Sequence, residues 1–191
     1  MRIILASASP RRRELLGMIG VKNFEVLPAK GDEVSDPALS PCETVKALAA
    51  AKAREVCALV PQGDCVVIAA DTVVSKDGRI LGKPQSEDEA FEMLSFLSGS
   101  SHRVYTGLCV IVNGSEICQA EESTVYFRDL SPEEIRRYIA TGEPMDKAGS
   151  YGIQGKASLF VRRIEGDYYN IVGLPVCRLG QILTKLGVVL T

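Results

Sequence analysis

Side chains along this chain alternate between apolar and polar with periods that predict a mixture of strands and helices. Residues 65–74 form a dense run of β-branched and apolar side chains, which is typical of a central strand. Apolar side chains recur near helical spacing between residues 41 and 59, which predicts a long helix. Residues 102–112 and 116–128 alternate around Asn113-Gly114, a strong hairpin signal. Further strands are predicted at residues 2–6, 23–28, 79–81 and 157–164, and further helices at residues 10–20, 87–97, 132–140 and 175–186.

The order of these elements predicts a mixed α/β fold with a long antiparallel component, because it is not a regular βαβ ladder. The chain has 191 residues, which suits a single domain over residues 1–191, or one domain with two lobes. Its composition is 46% hydrophobic and 24% charged, so it can bury a substantial core and still dissolve.

The charge balance argues against a dedicated nucleic-acid-binding protein. The 22 basic and 24 acidic residues leave a net charge of −2, whereas such proteins normally carry a basic excess. We expect no membrane partner, because no apolar run approaches the roughly 20 residues that span a bilayer. Basic residues follow the short apolar stretch near the N-terminus instead of preceding it, so we expect no secretory signal and a cytoplasmic protein.

Familiar catalytic and metal-binding motifs are missing from the sequence. The six cysteines form no CxxC pair, so we expect buried free thiols and neither a zinc nor a disulfide framework. There is no GxxxxGK[ST], GxGxxG or GxSxG motif, and His102 is the only histidine. Chemistry based on acidic side chains and a metal therefore fits the residues better than a Ser-His-Asp or Cys-His mechanism, which would have to use His102.

The predicted helix at residue 10 departs from a rule that three other predicted helices with a serine at the N-cap obey. Sequences beginning at Ser40, Ser86 and Ser131 each carry acidic residues in the first turn, where a carboxylate suits the positive end of the helix dipole. Ser9-Pro10-Arg11-Arg12-Arg13 starts in the same way but carries three arginines. Bound phosphate would resolve this conflict, with Ser7 and Ser9 as further donors. The alternative is three solvated arginines on the surface.

Two acidic segments and several lysines are further candidates. Asp71 follows the apolar run Val66–Ala70, where a carboxylate is either functional or structural, accepting backbone hydrogen bonds. Asp32-Glu33 lies in a polar segment and offers a second acid for a cation such as Mg²⁺, although acidic pairs in loops are usually only solvated. Gln154, in the glycine-rich segment 146–155, could read a base edge by hydrogen bonding. Lys52, Lys83, Lys147 and Lys156 could approach phosphate, although each is individually more typical of a surface.

Taken together, these segments resemble the Maf family, also called septum-formation inhibitor proteins. The resemblance rests on several motifs that occur in the family's order along nearly the whole chain. They are LASASPRRRELL (5–16), AADTVV (69–74), LGKP (81–84), LSGSSHRVYTG (97–107), GEPMDKAGSYGIQG (142–155) and GDYYNIVGLP (166–175).

The resemblance implies an elongated, two-lobed α/β fold shared with inosine-triphosphate pyrophosphatases, with a substrate cleft between the lobes. It implies a homodimeric nucleoside triphosphate pyrophosphatase that needs a divalent cation, Mg²⁺ or Mn²⁺. The YGIQG loop is similar to that of the branch that hydrolyses dTTP and UTP to the monophosphate and pyrophosphate. A sister branch that acts on 7-methyl-GTP carries a different loop at this position.

The resemblance also implies roles for individual residues. Asp71 takes the place of the proton acceptor that activates water, with metal ligation as its alternative role. The substrate-selecting positions are Arg11, Thr72 and Gln154. The polar positions around the phosphates and the metal are Ser7, Arg12, Glu33, Lys52 and Lys83.

Two other functions stay open from the sequence. The first is a house-cleaning pyrophosphatase that acts on modified pyrimidine or other damaged nucleotides. The second is a nucleotide-binding regulator of septum formation and cell-division arrest, in which catalysis is incidental.

Overall fold

The computed structural model describes residues 1–31, 36–60, 63 and 65–188. Six α-helices lie in this part of the chain: α1 (Pro10–Met18), α2 (Pro41–Leu59), α3 (Glu87–Leu97), α4 (Pro132–Ile139), α5 (Tyr168–Val172) and α6 (Val176–Lys185). The strands are β1 (Arg2–Leu5), β2 (Glu25–Val26), β3 (Cys65–Lys76), β4 (Arg79–Leu81), β5 (Ser101–Val112), β6 (Ser115–Phe127) and β7 (Val161–Glu165).

These strands form one mixed sheet, which confirms the predicted mixed α/β class. Its order is β2-β1-β3-β5-β6-β7, and β4 pairs with β3 outside this path. β1 is parallel to both β2 and β3, whereas β3–β4 and β6–β7 are antiparallel. The Asn113-Gly114 turn joins β5 to β6 with φ angles of 48° and 81°, and positive values at both positions are what a two-residue hairpin turn needs.

The chain divides into two compact units. Unit 1 comprises Met1–Asp71, Thr106–Glu121 and Gly173–Thr191, and unit 2 comprises Thr72–Tyr105 and Glu122–Val172. In unit 1, apolar side chains of β1 and β3 pack against α2, with Ile4, Val67 and Ala53 fully buried. In unit 2, the rings of Phe127, His102 and Tyr151 contact one another edge to face.

Several boundaries differ from the prediction. Residues 156–160 form a 3-10 helix, so β7 starts only at Val161, and β2 has just two residues. Helix α5 was not predicted. Strand β3 continues to Lys76, two residues beyond the prediction, because Val74, Ser75 and Lys76 pair with β4. Asp71 lies inside this strand. None of the described helices is long and apolar enough to cross a membrane.

The expectation that all six cysteines are free thiols is wrong for Cys109 and Cys118. These two residues form a disulfide between β5 and β6, with Cα atoms 4.1 Å apart. A two-residue turn at Asn113-Gly114 sets position 109 opposite position 118, so the hairpin pattern contained the signal for this pairing. Cys42, Cys57, Cys65 and Cys177 are free as predicted, but of these only Cys65 is buried, and Cys177 is exposed.

Candidate active site

The turn from β1 into α1 holds Ser7 and Arg12 together. Nη1 of Arg12 donates to Oγ of Ser7 at 3.0 Å, and Nε donates to the carbonyl oxygen of Gly173 at 2.8 Å. The backbone N–H of Ser9 donates to the same Ser7 hydroxyl at 3.3 Å. Ser7 is buried and Arg12 is half-buried, so both side chains have defined positions before any ligand binds.

The start of α1 lacks the caps found at the three helix starts that follow Ser40, Ser86 and Ser131. Ser40 and Ser131 each form a full capping box with the glutamate three residues later. Ser86 accepts from the backbone of Glu89, but that glutamate bonds to Gln85 and does not close the box. Ser9 makes no side-chain cap, and no acidic residue lies in the first turn of α1. The exception seen in the sequence is therefore present in the structure, and it leaves the first turn suited to an anion.

Asp71 is a buried carboxylate paired with a lysine. Nζ of Lys52 lies 2.6 Å from Oδ1 of Asp71, and the two side chains are 17% and 8% exposed. Helix α2 positions Lys52 by burying Ala49, Ala53 and Val56 in the core, while β3 positions Asp71. A charge in such surroundings is costly unless it is paired, and the ammonium supplies the pairing. The structure thus brings together two of the residues that the sequence analysis selected.

Arg11 is half-buried in the first turn of α1, in unit 1, whereas Thr72, Lys83 and Gln154 lie in unit 2. Thr72, half-buried, follows Asp71 directly and is the first residue of that unit. Lys83 is exposed after β4, and Gln154 is exposed in the glycine-rich segment. The backbone N–H of Gly149 donates to the carbonyl oxygen of Gly82 at 3.0 Å. This bond ties the glycine-rich segment to the residue immediately before Lys83.

Lys147 has a structural role in unit 2. Its ammonium donates to the backbone oxygen of Glu143 and to Oδ1 of Asp146, both at 2.6 Å. These bonds hold the 3-10 turn Glu143–Asp146. Of the lysines proposed to approach phosphate, this one is therefore engaged within its own segment.

His102 is a buried member of the aromatic cluster. It is 2% exposed, and its Nε2 lies 2.8 Å from the hydroxyl of Tyr151. Burial lowers the pKa of His102 to about 3, and the charge of Lys76 acts in the same direction. The ring is consequently neutral near pH 7 and packs as part of the core.

Two acidic segments of the sequence could hold a divalent cation, and Asp71 is the candidate ligand among the described residues. Glu33, the predicted second acid, and its neighbour Asp32 lie outside the described residues. Within the described ranges, one group of ligand-type side chains comes together, namely Cys109, Glu116 and Cys118. Its cysteines are joined in the disulfide and its glutamate pairs with Arg54 at 2.6 Å, so it does not suit a hard cation. Asp71 offers the oxygen type that Mg²⁺ and Mn²⁺ prefer.

Comparison with known proteins places this chain in a family. Residues 2–186 match the family model described as Maf-like protein. A dTTP/UTP pyrophosphatase of Alkaliphilus oremlandii is 56% identical over 184 residues, covering 95% of this chain and 94% of the relative. A dTTP/UTP pyrophosphatase of Thermococcus gammatolerans is 54% identical over 184 residues, with coverages of 96% and 94%. One of Bacillus cereus (strain ZK / E33L) is 48% identical over 190 residues, with coverages of 100% and 98%.

Among solved structures, a HAM1 protein from Coxiella burnetii covers 97% of this chain and 99% of its own, with 14% identity and a TM-score of 0.49. The family match spans nearly the whole chain, and it includes the uncapped start of α1, the Lys52–Asp71 pair and the glycine-rich segment. On that match and on the identity to its relatives, the chain belongs to the Maf family.

Proposed function

We propose that this protein is a nucleoside triphosphate pyrophosphatase that hydrolyses dTTP and UTP to the monophosphate and pyrophosphate. The observation that carries the proposal is the buried Lys52–Asp71 pair. A buried, paired carboxylate in a chain about half identical to relatives named dTTP/UTP pyrophosphatase supports a catalytic acid–base role.

The triphosphate is held, in this proposal, at the start of α1. Ser7 and Arg12 are already locked to each other, and the first turn of α1 has no acidic residue to compete with an anion. The guanidinium groups of Arg11 and Arg12 match the geometry of phosphate oxygens. Lys83 supplies a further positive charge for the phosphates.

The reaction itself needs a water molecule to attack the α-phosphorus. A bond forms from the water oxygen to phosphorus, and the bond from that phosphorus to the bridging oxygen breaks. Pyrophosphate leaves with the bridging oxygen and its electron pair. One proton of the water must be removed, and Asp71 is the group that accepts it in our proposal. Lys52 keeps the carboxylate charge stable in its buried position.

A divalent cation, Mg²⁺ or Mn²⁺, is part of the proposal. Asp71 fits such an ion by its donor chemistry, and Glu33 is the second candidate ligand by family resemblance. When bound, the cation would offset the negative charge of the reacting phosphates and of the leaving pyrophosphate. One carboxylate rarely serves as both metal ligand and free general base. We therefore assign Asp71 the role of general base and treat metal ligation as its alternative role.

We assign selection of the substrate's nucleobase to Gln154, with Thr72 and Arg11 as further selecting residues. Uracil and thymine present a ring N–H donor beside a carbonyl acceptor, whereas cytosine presents an acceptor beside an amino group. A carboxamide carries one acceptor and one donor, so a Gln154 side chain held in one orientation matches the first pair and opposes the second. The exposed position of Gln154 leaves the amide available to a ligand.

The first test is a product analysis with the purified protein. It would be incubated with Mg²⁺ or Mn²⁺ and each of dTTP, UTP, CTP, ATP and GTP, and the products would then be separated. Monophosphate and pyrophosphate from dTTP and UTP, with little from ATP and GTP, is the expected result. Diphosphate and orthophosphate would show that a different bond is cut and would refute the mechanism.

The same experiment separates the alternative functions. Faster turnover of modified pyrimidine triphosphates than of dTTP would favour the house-cleaning role. Tight nucleotide binding without turnover would favour a regulator of septum formation. The proposal also includes a cytoplasmic homodimer that binds neither nucleic acid nor membranes. Light scattering coupled to size exclusion would test the dimer, and cell fractionation would test the location.

A further inference from the structure

A single carboxylate in unit 2 reaches both ends of the short segment that carries Gln154. This segment, Gly152–Lys156, is called the Gln154 loop below. Oε2 of Glu143 accepts a hydrogen bond from the backbone N–H of Lys156 at 3.1 Å. Oε1 accepts from the hydroxyl of Tyr138 at 3.0 Å, and that hydroxyl accepts from the backbone N–H of Gly152 at 3.3 Å. One side chain therefore holds the last residue of the loop directly and the first through Tyr138.

The loop packs closely on its supports at two glycines, where an added Cβ atom would force the side chain of Glu143 or Lys147 to move. A Cβ atom at Gly155 would overlap the carboxylate of Glu143, and one at Gly152 would lie 2.6 Å from Cε of Lys147. The backbone N–H of Gly155 also donates to the carbonyl oxygen of Gly152 at 3.0 Å, which closes the loop into a tight turn. These contacts leave the loop little room to shift relative to Glu143.

Glu143 is itself held in place. It begins the 3-10 turn Glu143–Asp146, and its backbone oxygen accepts from the ammonium of Lys147 at 2.6 Å. Tyr138 is buried, and its ring packs edge to face on Phe160 with centroids 5.1 Å apart. The hydrogen bonds from the Gln154 loop to Glu143 and Tyr138, called the clamp below, thus connect the loop to the packed interior of unit 2.

Gln154 is the outward-facing member of this clamped loop. Its neighbour Ile153 and the preceding Tyr151 are both buried, whereas Gln154 is exposed. The side chain of Gln154 faces solvent, but its neighbours Ile153 and Gly155 are packed in place and therefore limit where the carboxamide can reach. Hydrogen-bond readout of a base depends on such positioning, because it fails when donor and acceptor move by a fraction of an ångström to an ångström.

We propose that Glu143 is a positioning residue for pyrimidine selection, which clamps the Gln154 loop so that the carboxamide distinguishes uracil and thymine from cytosine. The inference rests on the proposed function and adds to it a residue that touches no substrate. Its ligand class is the 4-oxo pyrimidine nucleotides. Glu143 acts only through Gln154, so the two residues must be energetically coupled.

The test compares Glu143→Gln with a matched control. Glutamine keeps the shape of the side chain but can accept at only one of its two ends, so one of the two loop ties is lost. Glu165→Gln is the control, because Glu165 also accepts from a tyrosine hydroxyl in unit 2, that of Tyr126 at 2.9 Å, on strands β6 and β7. The readout is kcat/KM for UTP divided by kcat/KM for CTP, measured with Mn²⁺.

We expect Glu143→Gln to lower this UTP/CTP ratio about three- to tenfold, the size expected for one lost hydrogen bond. The Glu165→Gln control should leave the ratio unchanged. In a Gln154→Ala background, Glu143→Gln should change the ratio by less than about twofold, because coupled residues are not additive. A purely structural role of Glu143 would not produce this dependence on Gln154.

Two results would overturn the inference while leaving the pyrophosphatase function intact. The first is an unchanged UTP/CTP ratio in Glu143→Gln when Gln154→Ala has lost it. The second is an equal drop of the ratio with and without Gln154. Tyr138→Phe removes the hydroxyl that links Glu143 to Gly152 and leaves the bond from Lys156 to Glu143 in place. It provides a second variant should Glu143→Gln fail to fold, and it should lower the ratio in the same direction. Absence of pyrophosphate release by the unmodified protein would instead refute the proposed function itself.

Discussion

Nζ of Lys52 and Oδ1 of Asp71 lie 2.6 Å apart in a largely buried ion pair between α2 and β3. The Asp71 carboxylate would be costly in this position without the ammonium, since removing Lys52 takes away the charge that compensates it. The pair therefore links the stability of unit 1 to the chemistry proposed for Asp71. It also explains why an acidic residue is tolerated inside a strand whose neighbours Ala69, Ala70 and Val73 are buried.

Removing the lysine should destabilise the protein, and removing both charges should restore part of the loss. We expect Lys52→Met to lower the free energy of unfolding by roughly 3 kcal/mol, because the buried carboxyl group of Asp71 loses its ion-pair partner. The double variant with Asp71→Asn should be more stable than Lys52→Met, although inactive. Urea unfolding of the three variants measures this cycle, and additive losses would show that the two side chains are not coupled.

Asp71→Asn should abolish turnover without unfolding the protein. The amide keeps the shape of the side chain and an oxygen for Lys52 but cannot take up the proton, so we expect kcat to fall at least about 100-fold. Asp77→Asn is the matched control, because Asp77 lies in the exposed β3–β4 turn at a φ of 50°, which asparagine tolerates. Release of pyrophosphate is the measurement. Rates near those of the unmodified protein would remove Asp71 from the mechanism, and rescue by added Mn²⁺ would assign it to metal ligation.

Two arginines of the first turn of α1 should differ in their effect on substrate binding. Arg11 is half-buried and is assigned to the substrate, whereas Arg13 is exposed and has no assigned role. Arg11→Ala should raise the KM for dTTP about tenfold through loss of a charge-assisted contact to phosphate, and Arg13→Ala should change it little. The measurement is the KM of each variant for dTTP, obtained by steady-state kinetics at one ionic strength. Equal effects of the two variants would indicate a general electrostatic contribution in place of a specific contact.

Gln154→Ala should loosen base selection more than it lowers the rate on the preferred nucleotide. Loss of the carboxamide removes the donor and the acceptor that oppose cytosine, while the contacts to the phosphates remain. Competition between UTP and CTP in one reaction gives the ratio of the two kcat/KM values directly. A substrate ranking identical to that of the unmodified protein would contradict the selecting role.

His102 should make the stability of the protein dependent on pH below 6.5. Burial lowers the pKa of His102 from 6.5 to about 3 in the folded protein, so between these values only the unfolded chain takes up the proton. The free energy of unfolding is therefore unaffected by titration of His102 above pH 6.5. It decreases as the pH falls from 6.5 towards 3, by up to about 1.4 kcal/mol for each pH unit.

Urea unfolding between pH 5 and 6.5 measures this slope, because most carboxylates titrate below that range. His102→Gln keeps a side chain that can bond to the hydroxyl of Tyr151 but does not titrate, so the slope should disappear in the variant. His102 is the only histidine in the chain, which makes the difference between the two slopes specific to this residue. Equal slopes would show that His102 is protonated in the folded protein.

Local patterns in the sequence were sufficient to predict most of the helices and strands. Helix α2 has the bounds predicted from its apolar spacing, and the β5–β6 turn falls at Asn113-Gly114. The missing cap at Ser9 could also be anticipated, because capping depends on residues within one helical turn. The short helix α5 and the late start of β7 could not, since neither has a period long enough to be recognised.

By itself, the sequence determined which residue types stand at which local positions: three arginines at a helix start, an acid within an apolar run, and a glutamine between glycines. Only the tertiary structure decided that Lys52 meets Asp71 across 19 positions, and that Glu143 holds one end of the Gln154 loop directly and the other through Tyr138. Such partnerships depend on the packing of separate elements against one another. The period of a helix or strand gives the direction of a side chain but not the identity of the group that it meets in space.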